Sequence, residues 1–566
     1  MTKERGHRVP DNVGRDAPPP IGKECLVSKL ESHRTGRVPL PAQYRAWQVF
    51  GAGLENVGRD GKPVTLELRP PADNEVLLRV DALGLCLSDM KIIAQGGNHP
   101  RLRGRDLATD PTVLGHECAA TVVKVGRQWQ DTFKPGDRYI VQADIYYKGV
   151  GFAFGYMIPG GLAEYTYLDE RALAGDEGCY LLPVRPETGY SQSALAEPWA
   201  CVEMSYCLEE RLEPHGDAPL VVVESLDESC LARFPQAVHL RHDLAGLDAL
   251  GDRVFADIIV RHPTPEIVNA LAKRLNKNGN LWLVGKPGAA GPVTLDVGGI
   301  HYENKRFFGG GENLAEVAEA NRRNDLLPGG RALFIGAGGP MGQMHVQRAI
   351  EKTDGPALAV VTDLDRGRLD HIVHRFGGLA QTRGIDLVTL AATEFAAPQA
   401  MNDCIRELAP GGYNDIVVLA PVPALVEQAV TMAADNAFVN LFAGLGIGTP
   451  AKIPLEALCR GVKLIGCSGS RIRDLRKVLQ LVEGGELDTN RSVAAIGGLD
   501  AAHDGLQAVK DARFPGKTVI YTQIPTFPLT PLEKLADALP EVAAKLSPEG
   551  AWTKEAEEAL LEHYLP

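Results

Sequence analysis

From Tyr44 to about Ala200 the chain is a succession of short apolar runs, among them "VTLELRP", "NEVLLRVDALGL", "CAATVVKVG", "DRYIVQA" and "AEYTYLD". Gly, Pro and Asp separate them. Runs of this length between turn-forming residues predict strands and a compact β-rich domain. From about Pro328 the period changes. Strand-like "RALFIGAGG", "ALAVVTDLD", "NDIVVLAP" and "FVNLFAGLG" alternate with helix-like "MGQMHVQRAIEK", "RLDHIVHRFG" and "PALVEQAVTMAA". That alternation predicts a parallel sheet with crossover helices, an α/β architecture. After Thr489 short apolar runs return and end in "GKTVIYTQ", so the chain is expected to re-enter its first domain. The closing stretches "LEKLADALPEVAAKL" and "TKEAEEALLEHY" are expected to be helical, with Thr553 as N-cap of the second.

The segment between the β-rich and alternating blocks partly repeats the second of them. "ADIIVRHPTPEIVNALAKRLNKNGNLWLVG" resembles "NDIVVLAPVPALVEQAVTMAADNAFVNLFAG", with Asp257, Pro263, Pro265 and Val268 answering Asp415, Pro421, Pro423 and Val426. The shared order argues for a duplicated unit. "PLVVVESLDESCL" also echoes "ALAVVTDLDRGRL", but no glycine-rich turn precedes it. The inserted copy is therefore expected to lack a phosphate loop and to bind no dinucleotide. His239 and His242 lie within it with no evident partner, and no metal is assigned to them.

Length and charge narrow the classes. At 566 residues the chain exceeds one ordinary core. The implied division is an N-terminal extension (1–43), a β-rich domain (44–205 and 487–526), the insert (206–325), a nucleotide-binding domain (326–486) and a helical C-terminal extension (527–566). The apolar fraction of 45% with 23% charged residues is that of a soluble protein, and no apolar run is long enough to span a bilayer. A net charge of -13 disfavours nucleic acid. The ten cysteines are scattered without a Cys-x-x-Cys pair, which points to a reducing cytoplasm and against a structural zinc knuckle. The Pro- and Gly-rich first 43 residues read as a solvated tail or a surface-packed extension.

"LFIGAGGPMGQMH" follows a predicted strand and opens a predicted helix, the context in which a glycine-rich turn cradles a pyrophosphate. Gly336, Gly338, Gly339, Pro340, Met341 and Gly342 are the candidate cofactor residues, although Ala337 holds the first position of the usual G-x-G-x-x-G spacing. The next strand ends at Asp363, 21 residues beyond Gly342, where a carboxylate accepts ribose hydroxyls and repels a 2′-phosphate. NAD is expected over NADP; Arg366 and Arg368 nearby count the other way.

A catalytic zinc takes three protein ligands of N, S or O type and keeps one position open. Singly, Cys86 in "GLCLSDMK", His116 and Glu117 in "VLGHECAATVVKVG" and Glu197 in "LAEPWACV" could each be an ordinary core or paired residue. Together they would converge where the β-rich domain meets the nucleotide-binding one, a favoured place for substrate.

These stretches, with "FKPGDRY", "GGLAEYTYL", "GAGGPMGQMH", "IGGLDA" and "PGKTVIY", occur in the order found in zinc-dependent medium-chain dehydrogenases, and the chain resembles that family. The likeness is greatest to its L-sorbose 1-phosphate reductase and polyol dehydrogenase branch. It covers about 44–205 and 326–526. The resemblance implies a GroES-like catalytic domain joined to a Rossmann doubly wound sheet, the insert being a degenerate partial Rossmann-like repeat. It implies one catalytic zinc on Cys86, His116 and Glu117, with Glu197 a fourth or water-exchanging ligand. Ser88 matches a proton-relaying hydroxyl and Asp89 an acid behind His116. Arg368 joins the cofactor residues. The four-cysteine structural zinc lobe of many relatives is absent, and Lys91 stands where many have histidine.

The expected activity is hydride transfer between NAD and a secondary alcohol or ketone of a polyol, sugar or sugar phosphate. An L-threonine dehydrogenase-like enzyme and an inactive NAD-binding sensor or scaffold are the alternatives. Arg101, Arg103 and Arg105 in "GGNHPRLRGRDLATD", or Lys91, are candidates to meet a substrate phosphate. "NKRFFGG" in the insert corresponds to "VKLIGCSG", an edge strand that such enzymes often use to dimerise. The insert is expected to cover that edge within one chain, so that the protein is either a homo-oligomer or a monomer with an internal pseudo-dimer edge.

Overall fold

A computed structural model describes residues 28–36, 39–224 and 234–565. The expected N-terminal extension therefore falls largely outside the described residues, as do Cys25 and Cys230.

The β-rich part is built on one eight-stranded sheet. Its path runs Leu181–Val184, Arg138–Val141, Glu117–Val125, Val76–Gly84, Lys517–Tyr521, Val493–Gly498 and Thr530–Pro531, with Tyr165–Leu168 also paired to Val76–Gly84. The late strands thus close a sheet begun some 400 residues earlier, and the return of short apolar runs after Thr489 has this topological meaning. Val76–Gly84 is buried along its whole length because sheet partners and helices cover both faces.

The α/β part is a six-stranded parallel sheet in the order Asp386–Ala391, Leu358–Asp363, Arg331–Ile335, Tyr413–Val418, Ala433–Leu441, Lys463–Ile465. Its order reverses beside Arg331–Ile335, the switch point where such sheets open a ligand crevice.

The insert forms a second parallel sheet of five strands: Val238–Leu240, Leu220–Val223, Phe255–Arg261, Leu275–Val284, Arg306–Gly311. Strand pairing revises the register of the duplication. Leu220 pairs with Asp257 and Val223 with Val260, as Ala332 pairs with Asp415 and Ile335 with Val418. Leu220–Val223 therefore holds the place of Arg331–Ile335, not that of Leu358–Asp363 as the echo of "ALAVVTDLD" suggests. Local apolar pattern cannot distinguish neighbouring parallel strands; the ladder does. Glu224 accordingly occupies the place of Gly336, and both have positive φ, 66° and 73°. Arg241, the residue after Leu240, takes the place of Asp363. The first position of the phosphate turn thus carries a carboxylate and the ribose-acid position a cation, while the rest of that turn lies outside the described residues.

The two copies meet through an antiparallel ladder between Pro292–Asp296 and Pro450–Pro454, centred on Thr294 and Lys452, which are equivalent positions of the duplication. Pairing between equivalent strands gives the junction a local pseudo-twofold. Arg306–Gly311 and Lys463–Ile465 end their respective sheets beside each other, and Arg306 donates to the Gly466 carbonyl. The expected covering of that edge is made by side chains and by the neighbouring ladder, since these two strands share no backbone ladder.

The C-terminal stretch departs from the sequence expectation. "LEKLADALPEVAAKL" is three short turns, Leu532–Lys534, Leu535–Ala538 and Pro540–Ala543, because Pro540 lacks an N–H and ends the preceding turn. Lys554–Tyr564 is helical, capped by the Thr553 hydroxyl accepting from Ala556 N. This helix packs into the β-rich part. Glu557, 1% exposed, accepts from the backbone N–H groups of Tyr190 and Ser191 and from the Tyr521 hydroxyl. The helix Lys29–Arg34 rests on its outer side through Leu30 and Arg34, so this piece of the N-terminal extension is surface-packed.

Candidate active site

Cys86 closes the strand side of the turn into the helix Leu87–Gln95 and serves as its N-cap. The Asp89 carboxylate folds back one turn, accepting from Cys86 N at 3.1 Å and from Gly115 N at 3.3 Å. One carboxylate thereby ties the cysteine turn to the histidine turn. Gly115 has φ of 89°, and a side chain there would run into Leu83. The left-handed turn at Gly115 presents His116 just before the strand Glu117–Val125 begins.

The three residues expected to ligate a metal come together. The donor atoms of Cys86, His116 and Glu117 all lie within 4.8 Å of one another, the one such group of three among the described residues. His116 Nδ1 stands 3.4 Å from Asp89 Oδ1, which leaves Nε2 toward Cys86 and Ser88. The Ser88 hydroxyl donates to Cys86 Sγ at 3.0 Å and is 3.3 Å from His116 Nε2. Burial alone would lower the imidazole pKa; the charge and hydrogen bond of Asp89, with Cys86, reverse this and hold it well above the ordinary value.

Two side chains missed in the sequence shape the Glu117 carboxylate. Lys517, from the returning strand, forms a buried ion pair with Glu117 Oε1. Burial opposes its charge, but Glu117, Cys86 and Glu197 outweigh that and raise its pKa. The other oxygen, Glu117 Oε2, is buried without a hydrogen-bond partner. A methyl group at Gly84 would sit 2.1 Å from it, so only glycine leaves room. "PGKTVIY" contained the signal for Lys517, but its pairing depends on a contact 400 residues apart.

Glu197, on the helix Ala196–Met204, does not join the three-donor group. It is close enough to couple electrostatically. Burial and the neighbouring Glu117 push its carboxyl up to about 7, against the pull of His116 and Lys517.

An orphaned buried carboxylate oxygen, a thiol at a helix N-terminus and an imidazole oriented by an acid form a mixed S, N and O set, which suits zinc. A metal on Cys86, His116 and Glu117 would satisfy Glu117 Oε2, for which the described residues offer no donor.

Gly336, Gly338 and Gly339 form the turn after Arg331–Ile335, and Pro340, Met341 and Gly342 open the helix Pro340–Glu351. Gly342 packs against Ala337, where any side chain would collide with backbone at 2.4 Å. Asp363 ends its strand and accepts from Gly338 N at 2.7 Å. Arg366 is engaged by Asp370 and the Thr389 hydroxyl, while Arg368 donates to the Ala512 carbonyl.

The candidate phosphate-binding arginines divide. Arg105 is committed to Asp110 and Pro111, and Arg103 to the Gly151 carbonyl. Arg101 pairs with Asp144 at 2.7 Å. Asp144 lines a cleft of about 520 Å³ together with Arg471 and Cys467 of the α/β part and Lys277, His301 and Tyr302 of the insert. Burial, aided by the charge of Lys91, holds His301 below its ordinary pKa, so Lys91 acts on this cleft too.

Residues 72–175 match the alcohol dehydrogenase GroES-like domain family. Across 516 residues the chain is 26% identical to the L-sorbose 1-phosphate reductase of Klebsiella pneumoniae, covering 89% of this chain and 95% of that protein. It is 24% identical to the mannitol-1-phosphate 5-dehydrogenase of Aliivibrio fischeri, covering 88% and 94%. The chain is an alcohol or polyol dehydrogenase with a GroES-like domain. Solved structures show the same fold: an alcohol dehydrogenase from Thermotoga maritima superposes with a TM-score of 0.52 at 14% identity, covering 85% of this dehydrogenase and all of that chain. The 2R,3R-butanediol dehydrogenase of Bacillus subtilis gives 0.50 at 17%, covering 85% and 99%. Among the described residues of this dehydrogenase no helix is long and apolar enough to cross a membrane. The eight described cysteines are all free.

Proposed function

We propose that this dehydrogenase uses zinc and NAD to interconvert a secondary alcohol and a ketone on a polyol or sugar phosphate. The observation that carries the reading is the convergence of Cys86, His116 and Glu117, whose donor atoms lie within 4.8 Å of one another. Zinc bound there would supply Lewis-acid stabilisation of negative charge on the substrate oxygen. A bound nicotinamide supplies the hydride acceptor or donor.

The chain's own groups do the rest. Ser88 lies beside the Cys86 sulfur and the His116 ring, in position to take the substrate hydroxyl proton or return it. Asp89 fixes the His116 ring by facing Nδ1, so that Nε2 points inward. Lys517 holds one Glu117 oxygen and leaves the other free. The Gly336–Gly342 turn presents its backbone and the helix N-terminus to the pyrophosphate.

Asp363 sits where the adenosine ribose is expected, which supports NAD. Asp363→Asn is expected to weaken NAD binding about 10- to 100-fold, the worth of a charge-assisted hydrogen bond, and to narrow the preference over NADP. Fluorescence titration with NADH and NADPH measures both.

A sugar phosphate is favoured over a free polyol by two observations. The alignments to proteins named for sugar phosphates cover 88–89% of the chain, which must include part of the insert, and the insert brings Lys277, His301 and Tyr302 to the cleft. The test is a panel of L-sorbose 1-phosphate, mannitol 1-phosphate, sorbitol and L-threonine, each with NAD(H) and NADP(H), beside metal analysis of the purified protein. Stoichiometric zinc and turnover of a phosphorylated sugar are expected. Cofactor binding without zinc or turnover would instead indicate a sensor, and oxidation of threonine alone would move the substrate to amino acids.

A further inference from the structure

A second cleft, of about 1020 Å³, lies away from the Cys86, His116 and Glu117 cluster, between the helix Arg366–Thr382, the loop 512–515 and the C-terminal stretches 528–534 and 546–550. The C-terminal extension builds much of its wall. Arg375 lines it and is only 4% exposed. The Nε and Nη1 atoms of Arg375 are buried with no hydrogen-bond partner, and among the described residues it makes no ion pair. The other buried arginines are each engaged by a carboxylate or carbonyl: Arg79 by Asp81, Arg306 by Glu210, Arg348 by Glu203, Arg138 by Thr188.

A desolvated guanidinium without a counter-charge is expensive to maintain, and the surroundings do not relieve it. The charge of Arg491 opposes it, Glu549 and Asp488 offset this in part, and with burial the pKa falls to about 10. The same wall carries Arg368, Arg513, Lys534, His371 and His374. Its carboxylates are Asp365, Asp504, Glu533 and Glu549; Asp365 caps its own helix by accepting from Arg368 N, and Glu549 accepts from the Ser547 hydroxyl. Phe514, Leu529 and Leu532 supply apolar surface beside the basic groups. The volume is that of a small-molecule site, and a guanidinium fork matches phosphate oxygens two at a time.

We propose that this cleft binds a phosphate monoester, the buried Arg375 fork gripping the phosphate, at a site separate from that of the dinucleotide. Arg368, counted among the cofactor residues, marks the near end of this cleft, and the phosphate position lies beyond it. Arg375 lies seven residues after Arg368, two turns or about 10 Å farther along the helix from the residue next to the cofactor turn.

The experiment uses inorganic phosphate as probe on the full chain, at constant ionic strength maintained with chloride, read by calorimetry and by thermal unfolding. The native protein is expected to show a saturable phosphate-dependent rise in Tm that persists with NADH bound. Arg375→Gln is expected to weaken the calorimetric component at least tenfold and to abolish the rise. Should that variant fold poorly, Arg513→Gln, at an exposed position, is expected to weaken phosphate several-fold while folding normally. Undiminished phosphate binding in both variants overturns the proposal. So does displacement of phosphate by NADPH, which would assign the anion to the cofactor's ribose. Neither result depends on turnover or zinc, so the proposal can fail while the dehydrogenase reading stands, and the reverse.

Discussion

Alanine in place of His116 is expected to reduce kcat/KM by about 10³-fold or more and to leave the purified protein with less than one zinc per chain. The magnitude follows from the several kcal/mol of oxyanion stabilisation that a Lewis acid contributes, at 1.36 kcal/mol per factor of ten. Secondary structure should persist, because His116 stands at a turn whose backbone is held independently by the Asp89 bond to Gly115 N. Metal analysis beside steady-state kinetics checks both parts. Full zinc occupancy with near-native turnover in the variant would remove His116 from the ligand set. Cys86→Ala offers the same comparison from the other segment.

The second large effect concerns stability. Glu557→Ala removes one carboxylate that accepts two backbone N–H groups at the start of the helix Tyr190–Ala194 and the hydroxyl of Tyr521. Each donor left unpaired costs about 1–3 kcal/mol. A loss of roughly 3–9 kcal/mol is expected, which at about 2–4 °C per kcal/mol for a domain of this size lowers Tm by about 6–36 °C. Calorimetric unfolding measures it. Truncation before Trp552, which is fully buried and donates to Tyr521, should prevent folding of the β-rich part altogether. An unchanged Tm in Glu557→Ala would show that the C-terminal helix merely decorates the surface.

These expectations draw unequally on sequence and structure. Cys86, His116 and Glu117 were legible as a set and not singly, and Ser88 and Asp89, which stand in the first turn of the helix Leu87–Gln95, only because the order of the stretches resembles that of a known family. The strand–turn–helix context made the cofactor turn legible. Lys517 was not, since its role is fixed by a partner in a strand from the other end of the chain. Nor was the alignment of "PLVVV" with "RALFI": both neighbouring strands of the later copy are equally apolar, and only pairing with Asp257 and Asp415 decides between them. Glu197 illustrates a different limit: sequence order placed it beside the site, but it stands outside the group of three whose donor atoms lie within 4.8 Å of one another. In the loop 96–110 Arg103 and Arg105 serve neighbouring carbonyls, which leaves Arg101, paired with Asp144, as the member of the expected trio nearest the cleft.

The ladder joining Pro292–Asp296 to Pro450–Pro454 has a consequence for how the enzyme responds to its surroundings. In an assembly of identical subunits, a wall borrowed from a neighbour is lost on dilution and any change in it appears twice. Here His301 and Tyr302 reach the cleft from the same polypeptide, so their presence is independent of protein concentration. The tethered insert can also accumulate changes at Lys277, His301 and Tyr302 that reshape the cleft without altering the Cys86, His116 and Glu117 group.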